Sequence, residues 1–355
     1  MKAIRKVRRE PGLVIEDINI PPLQPDEILV KVEAASVCGT DLHIWKWDEW
    51  SQKRIKTPLT LGHEFAGTIV EIGSMVRSVA AGDYISAESH VTCGICFQCR
   101  IGTPHLCPET QILGVDRPGV FSEYAVIPEK IAWKNDRSLL PPKIATLQEP
   151  FGNAVFTVFE HEISSESVAI LGCGPIGLFS VGIARAMGAS AIYAVDISEP
   201  RLALARRMGA TAVFNPSGDD PTAATAKWLI DTNGGFGIDV VLEMSGAPSA
   251  IAAAFESVRT GGRVTLFGIP SKPITLDVAQ KMIFKNLTIL ALNGRRIFET
   301  WYKTRWLLEN KIVDLEPLVT HVIQMEQIND VMPAMARGEA CKIVIDIAGG
   351  IADGR

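Results

Sequence analysis

Four cysteines fall within fifteen residues, Cys93, Cys96, Cys99 and Cys107, in a segment that also carries Gly94, Gly102 and Pro104. Intervals of two, two and seven residues in a loop let four thiolates meet at one cation. An all-sulfur tetrahedron leaves no open position, so the spacing points to a structural zinc ion rather than a reacting one. Two disulfides are the alternative, but a chain of 355 residues needs no such staples and no export signal precedes them. His105 lies inside the segment and could compete as a ligand, although four sulfurs already satisfy zinc. A second constellation is looser: Cys38-Gly39-Thr40-Asp41-Leu42-His43, then Gly62-His63-Glu64. Cys38 and His63 are good zinc ligands, and a site with two or three protein ligands keeps a position for a reactant. Taken singly, a cysteine is more often a small core residue and a histidine a structural one. Together, and beside the four-cysteine segment, they point to a catalytic metal.

The third motif is Gly172-x-Gly174-x-x-Gly177, placed between an apolar run at 168–171 and a helical pattern reaching residue 187. The glycines suit a tight turn, close approach of backbone to a pyrophosphate, and close packing of helix on strand. The helix N-terminus would then face the phosphates with its partial positive charge. A second apolar run ends in Asp196, nineteen residues after Gly177, where a carboxylate can accept ribose hydroxyls. Asp196 would repel a 2′-phosphate, which argues for NAD over NADP. Arg201 acts the other way, since a nearby guanidinium could accommodate that phosphate.

These groups need elements to hold them, and the chain reads in three stretches. Up to about residue 150, short alternating runs at 27–32, 65–73 and 124–128 lie between glycine and proline turns, which suggests a compact, mostly β domain. From about 165, six apolar runs (168–171, 191–195, 212–214, 240–242, 264–267 and 287–290) alternate with helical patterns such as 201–208 and 248–258. Six strands with crossovers predict a doubly wound parallel sheet. A helical stretch at 298–309 precedes a last strand at 342–346, expected to return to the first domain. The expected division is a catalytic domain of residues 1–150 and 295–355 around a nucleotide domain of residues 151–294.

Composition narrows the class. With 47% apolar and 21% charged residues, the chain can bury two cores. Its net charge is −5, without a basic run able to track a phosphate backbone, so no nucleic-acid partner is expected. The uncharged stretch 167–184 contains four glycines and Pro175, and reads as the nucleotide motif rather than a membrane span. The charged start of the chain is unlike an export signal, and seven cysteines suit a reducing compartment, so a cytoplasmic protein is expected.

Gly62-His63-Glu64-x-x-Gly67, the cysteine segment and Gly172-Cys173-Gly174-Pro175-Ile176-Gly177 resemble the medium-chain zinc-dependent alcohol dehydrogenase superfamily. The resemblance runs over essentially the whole chain. Four further segments resemble the branch acting on L-threonine: residues 47–52, 149–154, 243–248 and 298–303. The resemblance implies a GroES-like catalytic domain joined to a Rossmann domain, with NAD and two zinc ions per chain. Cys38 and His63 would ligate the catalytic zinc, with Glu64 or Glu149 supplying a carboxylate that alternates with water. Adjacent His63 and Glu64 need a bent backbone to reach one ion. The glutamate at 149, where relatives often carry aspartate, reaches further, so the ligand set stays open. Thr40 and His43 would relay the proton from the substrate hydroxyl, with Glu149 as a further catalytic carboxylate. Ile176, Asp196 and Arg201 would contact NAD, as would Phe267, Gly268, Ile269, Leu292 and Asn293. Asn293 departs from a more usual aromatic. His90 would line the substrate pocket, and the assembly would be a homotetramer.

The implied reaction is NAD-dependent oxidation of the L-threonine 3-hydroxyl to 2-amino-3-oxobutanoate. A polyol or butane-2,3-diol dehydrogenase with the same metal chemistry is the alternative. A cofactor-binding regulator without turnover is a third reading, which the presence of Cys38, His63, Thr40 and His43 disfavours. Trp45, Trp47 and Trp50 could frame the substrate site or simply pack a loop. Cys173 and Cys341 read as core thiols.

Overall fold

The structure is a computed structural model that describes residues 1–351. The chain separates into two compact units: residues 1–150, 296–309 and 319–351 form the first, residues 151–295 and 310–318 the second. Residues 310–318, which the sequence reading assigned to the first domain, thus pack with the second. Val313 sits against Gly182, where a Cβ would come within 2.9 Å of it.

The first unit is built on the strand Glu27–Ser36, whose run of Ile28, Leu29, Val30 and Val32 is buried. It pairs antiparallel with Glu64–Ile72 along one edge. Tyr124–Pro128 and Lys342–Asp346 share its other edge. Tyr84–Ala87 and Ala132–Lys134 extend the sheet beyond Glu64–Ile72, and Val319–Ile323 extends it beyond Lys342–Asp346. A three-stranded sheet joins Val14–Asp17, Lys2–Lys6 and Leu59–Thr60. Ile4, Ile28, Ile44, Phe65 and Phe121 are at most 1% exposed in this core. Each such side chain contributes roughly 2 kcal/mol relative to exposure.

The second unit is a six-stranded sheet in the order 212–214, 191–195, 167–171, 238–243, 258–266, 288–291, with every neighbouring pair parallel. Helices Pro175–Ala186, Glu199–Met208, Pro221–Thr232 and Pro248–Ser257 make the crossovers. This is the doubly wound sheet expected from the six apolar runs. Strand order reverses beside 167–171, the position where such sheets bind ligands at their carboxyl ends.

One buried cation ties the N-terminal strand to the first helix. Lys6 is fully buried, and its Nζ donates to the carbonyls of Glu10, Gly12 (3.0 Å) and Trp45 (3.5 Å). It also lies 5.0 Å from the centre of the buried Trp47 ring, so Trp47 is part of a packed loop. Desolvation pulls the Lys6 pKa from 10.5 down to about 8, with the charge of Glu10 acting in the opposite direction. The folded chain therefore gives up this proton before the unfolded chain does. Between these two values the unfolded state binds more protons, so the contribution of Lys6 to stability rises with pH. Denaturant melts of the wild type and Lys6→Met should show the wild type gaining on the variant as pH rises from below 8 to about 10. A constant difference would contradict this linkage.

Candidate active site

Among the described residues, three groups bring metal-ligand atoms together, and the first is the cysteine lobe. A two-stranded ribbon, His90–Val91 with Gln111–Ile112, forms its base. Cys96 starts the short helix Phe97–Arg100, and Cys107 follows the turn Pro104–Leu106. The Sγ atoms of Cys96 and Cys107 lie 3.8 Å apart, and those of Cys107 and Cys93 lie 3.6 Å apart. A disulfide needs about 2.05 Å. A tetrahedron of sulfurs about 2.3 Å from zinc has edges of about 3.8 Å, so the spacing fits one ion. His105 is not among the four converging ligands.

The second group is Cys38, His63 and Glu64, whose donor atoms all lie within 4.8 Å of one another. Cys38 precedes the helix Gly39–Lys46, and its N–H donates to Asp41 Oδ2 at 2.9 Å. The bend that lets adjacent His63 and Glu64 converge is made at Gly62. Its φ is +89°, and a Cβ there would meet the Phe121 ring at 2.1 Å, so only glycine fits. Glu64 then opens the strand Glu64–Ile72 and is fully buried. The pocket is anionic. Burial alone would lower the His63 pKa, but the Cys38 thiolate and the carboxylates of Asp41 and Glu149 outweigh it and raise the value. His63 Nδ1 and Glu64 Oε1 are buried without hydrogen-bond partners. Soft sulfur, imidazole and a carboxylate oxygen in this arrangement suit zinc.

Thr40 and His43 sit on the same helix, three residues apart. Thr40 Oγ1 lies 3.8 Å from Cys38 Sγ. The His43 side chain is 60% exposed, and its Nδ1 is hydrogen-bonded to Asp48 Oδ2. The other oxygen of Asp48 accepts from the N–H and Oγ of Ser51, at 3.0 and 3.1 Å, capping the helix Glu49–Arg54. Trp50 meets the imidazole edge-on, with ring centres 6.1 Å apart. Sequence reasoning missed Asp48 as the partner of His43. Its signal was present as an aspartate three positions before Ser51, the spacing of a helix cap.

The third group joins Glu88, His90 and Glu149. Glu88 is fully buried and accepts from Trp301 Nε1 at 2.9 Å, while its other oxygen lies 2.9 Å from His90 Nδ1. Ser89 Oγ donates to Glu149 Oε1 at 2.6 Å. The geometry thus groups Glu64 with Cys38 and His63, and Glu149 with His90. Glu88 carried no sequence signal, because its partner Trp301 is 213 residues away.

In the second unit the nucleotide motif folds as its glycines require. Gly172 has φ +103°, and a Cβ would strike Ser245 at 2.7 Å; a Cβ on Gly177 would lie 2.0 Å from Gly172 O. Gly174 has nothing within 4 Å, which leaves an open face at the start of the helix Pro175–Ala186, with Ile176 in its first turn. Asp196 ends the strand Ala191–Val195 and takes one N–H on each oxygen, from Cys173 at 2.6 Å and Ser198 at 2.8 Å. A cavity of about 200 Å³ is lined by Gly172, Asp196, Ile197, Arg201, Pro216 and Ser245, among others. Arg201 Nε is buried there without a partner. Phe267 and Gly268 donate to Glu243 O at 2.9 and 3.0 Å, and Leu292 donates to Leu266 O at 3.0 Å. Phe267, Gly268, Ile269, Leu292 and Asn293 therefore follow the carboxyl ends of the strands ending at 266 and 291, with Ile269 84% exposed. Cys173 and Cys341 are both buried.

Comparison with known proteins agrees with this architecture. An alcohol dehydrogenase GroES-like domain matches residues 24–137, and a zinc-binding dehydrogenase domain matches residues 175–310. The chain is 45% identical over 347 residues to an L-threonine 3-dehydrogenase of Bacillus velezensis, covering 97% of this chain and 98% of the relative. An L-threonine 3-dehydrogenase of Pyrococcus horikoshii is 44% identical over 348 residues, with the same coverage of each chain. Among solved structures, a zinc-binding dehydrogenase from Sinorhizobium meliloti 1021 bound to NADP superposes with a TM-score of 0.87 at 30% identity, over 98% of this chain and 99% of that one. The 2R,3R-butanediol dehydrogenase of Bacillus subtilis gives a TM-score of 0.85 at 27% identity, with the same coverage. The chain belongs to the medium-chain zinc-dependent alcohol dehydrogenase superfamily.

Proposed function

We propose that this chain oxidises the 3-hydroxyl of L-threonine with NAD, giving 2-amino-3-oxobutanoate and NADH. The observation that carries the substrate is the identity of 41–45% with L-threonine 3-dehydrogenases over 97% of the chain. The relative that acts on butanediol is only 27% identical. Cys38, His63 and Glu64 would hold a catalytic zinc, and Cys93, Cys96, Cys99 and Cys107 a structural one. Bound in these places, zinc supplies a Lewis acid that lowers the pKa of a substrate hydroxyl, and NAD supplies a hydride acceptor.

The rest of the work falls to the side chains. Thr40, beside Cys38, accepts the hydroxyl proton as it gives up its own, and His43 takes that proton onward. Asp48 holds His43 Nδ1, so the other ring nitrogen is left to exchange the proton with solvent. Glu149, kept in place by Ser89, adds negative charge near His63 and assists as a second carboxylate. His90, held by Glu88, lines the substrate pocket. Asp196 binds the adenosine ribose, with Gly172, Gly174, Ile176, Gly177, Arg201, Phe267, Gly268, Ile269, Leu292 and Asn293 as further contacts. Asp196 favours NAD, since a 2′-phosphate would meet its charge.

A homotetramer is the proposed assembly. The strand Thr288–Ala291 leaves one edge of the parallel sheet open, beside exposed Ile283 and Phe284. No helix among the described residues is long and apolar enough to cross a membrane, and seven cysteines outside any disulfide suit a reducing cytoplasm.

Three experiments test this reading. NADH formation by the zinc-loaded protein should favour L-threonine over sorbitol and butane-2,3-diol by at least about a hundredfold in kcat/KM. Turnover of the diols alone would move the chain to the polyol branch. Asp48→Asn keeps a good helix cap but presents an amide to His43 Nδ1. It should lower kcat by roughly tenfold or more with little change in KM or melting temperature. A kcat within about twofold of the wild type would remove Asp48 from the relay. Mass measurement in solution should give four times the chain mass of 38.5 kDa, and a monomer would refute the assembly.

A further inference from the structure

Glu64 does not offer its two oxygens equally. Oε2 accepts hydrogen bonds from Ser36 Oγ and from Lys342 Nζ, whereas Oε1 is buried without a partner. Lys342 is 1% exposed, and its ammonium also donates to the Val37 carbonyl at 3.0 Å. The register of the central sheet makes this convergence obligatory. Ser36 lies opposite Glu64 on one edge of its strand and opposite Val344 on the other. Lys342, two residues from Val344, shares its face. The strand that returns from the C-terminal part of the chain thus delivers a fixed cation to the back of the Cys38, His63 and Glu64 pocket.

We infer that Lys342 is a positioning residue that competes with the metal for Glu64, weakening that ligand and keeping the ion's coordination labile. The inference rests on the reading of Cys38, His63 and Glu64 as a metal site. Cys38, Asp41, Glu64 and Glu149 make the pocket anionic, and Lys342 is the buried cation that shares Glu64 with any metal bound there. A carboxylate behind a metal ligand makes it more basic. A cation behind a carboxylate does the reverse, drawing electron density to Oε2 and away from the unpartnered Oε1. Removing the Lys342 charge therefore makes Glu64 a stronger and more permanent donor. A merely structural Lys342 predicts the opposite. Breaking a buried ion pair would loosen the pocket and release the metal faster.

The test is the rate at which zinc passes from the fully loaded protein to a chelator. Cys38→Ser identifies the phase that belongs to the cysteine lobe. Lys342→Met should slow release from the other site by about tenfold, while Lys342→Arg should stay within about twofold of the wild type. In a Glu64→Gln background, Lys342→Met should have no effect, because the competition runs through the carboxylate. The double variant also removes both buried charges, so the comparison stands even if Lys342→Met alone fails to fold. Unchanged or faster release in Lys342→Met, or a Lys342 effect that persists in the Glu64→Gln background, would overturn the proposal. If the wild type bound one zinc per chain, the metal-site reading would fail and take this proposal with it. Two zincs with release indifferent to Lys342 would overturn the proposal alone.

Discussion

A buried imidazole and carboxylate beside a half-buried thiol are tolerated only when positive charge balances the anions. Cys38, His63 and Glu64 impose that requirement on the first unit, and much of its architecture answers it. The backbone turns at Gly62 because no other residue fits against Phe121. The strands carrying Ser36 and Lys342 flank and back the carboxylate. Glu64 Oε1 and His63 Nδ1 are buried without hydrogen-bond partners from the protein. A core built this way is specified for a cation, and hydroxyl chemistry at neutral pH becomes accessible once one is present.

The nucleotide unit solves a different problem, that of bringing backbone close to a polyanion without side chains in the way. Gly172 and Gly177 are forced by contacts of 2.7 Å and 2.0 Å that a Cβ would make, whereas Gly174 is free of neighbours. The first two glycines serve the fold, and the third keeps a surface open. Asp196 spends one lone pair of each oxygen on the backbone around it, which fixes the carboxylate without neutralising it.

What the sequence made legible was local. The cysteine spacing, the glycine motif with Asp196, and the six apolar runs all lie within short windows, where period and turn chemistry act directly. The returning strand at 342–346 was also readable from its apolar run. Its consequence was not, because Lys342 meets Glu64 across 278 residues. Trp301 and Glu88 are likewise brought to hydrogen-bonding distance only by the tertiary fold. Residues 310–318 carried no mark of belonging with the nucleotide unit, since packing of Val313 near Gly182 and of 316–318 on the helix Glu199–Met208 leaves no periodic trace. Asp48 lay between: its cap was visible, but its hold on His43 depends on the chain reversing after Trp47, whose φ of 55° no pattern announces.

The cysteine lobe has a bearing on catalysis although it shares no ligand with the reacting site. Its base is the ribbon that begins at His90, and Glu88 and Ser89 immediately precede it. An ion held by four sulfurs would close the intervening loop and remove the freedom of a segment of about twenty residues. Three of its four cysteines are only partly buried. Oxidants that turn these thiolates into disulfides would eject the ion and restore that freedom. Activity would then be lost through slackness in this fastening, with His63 and Glu64 chemically intact.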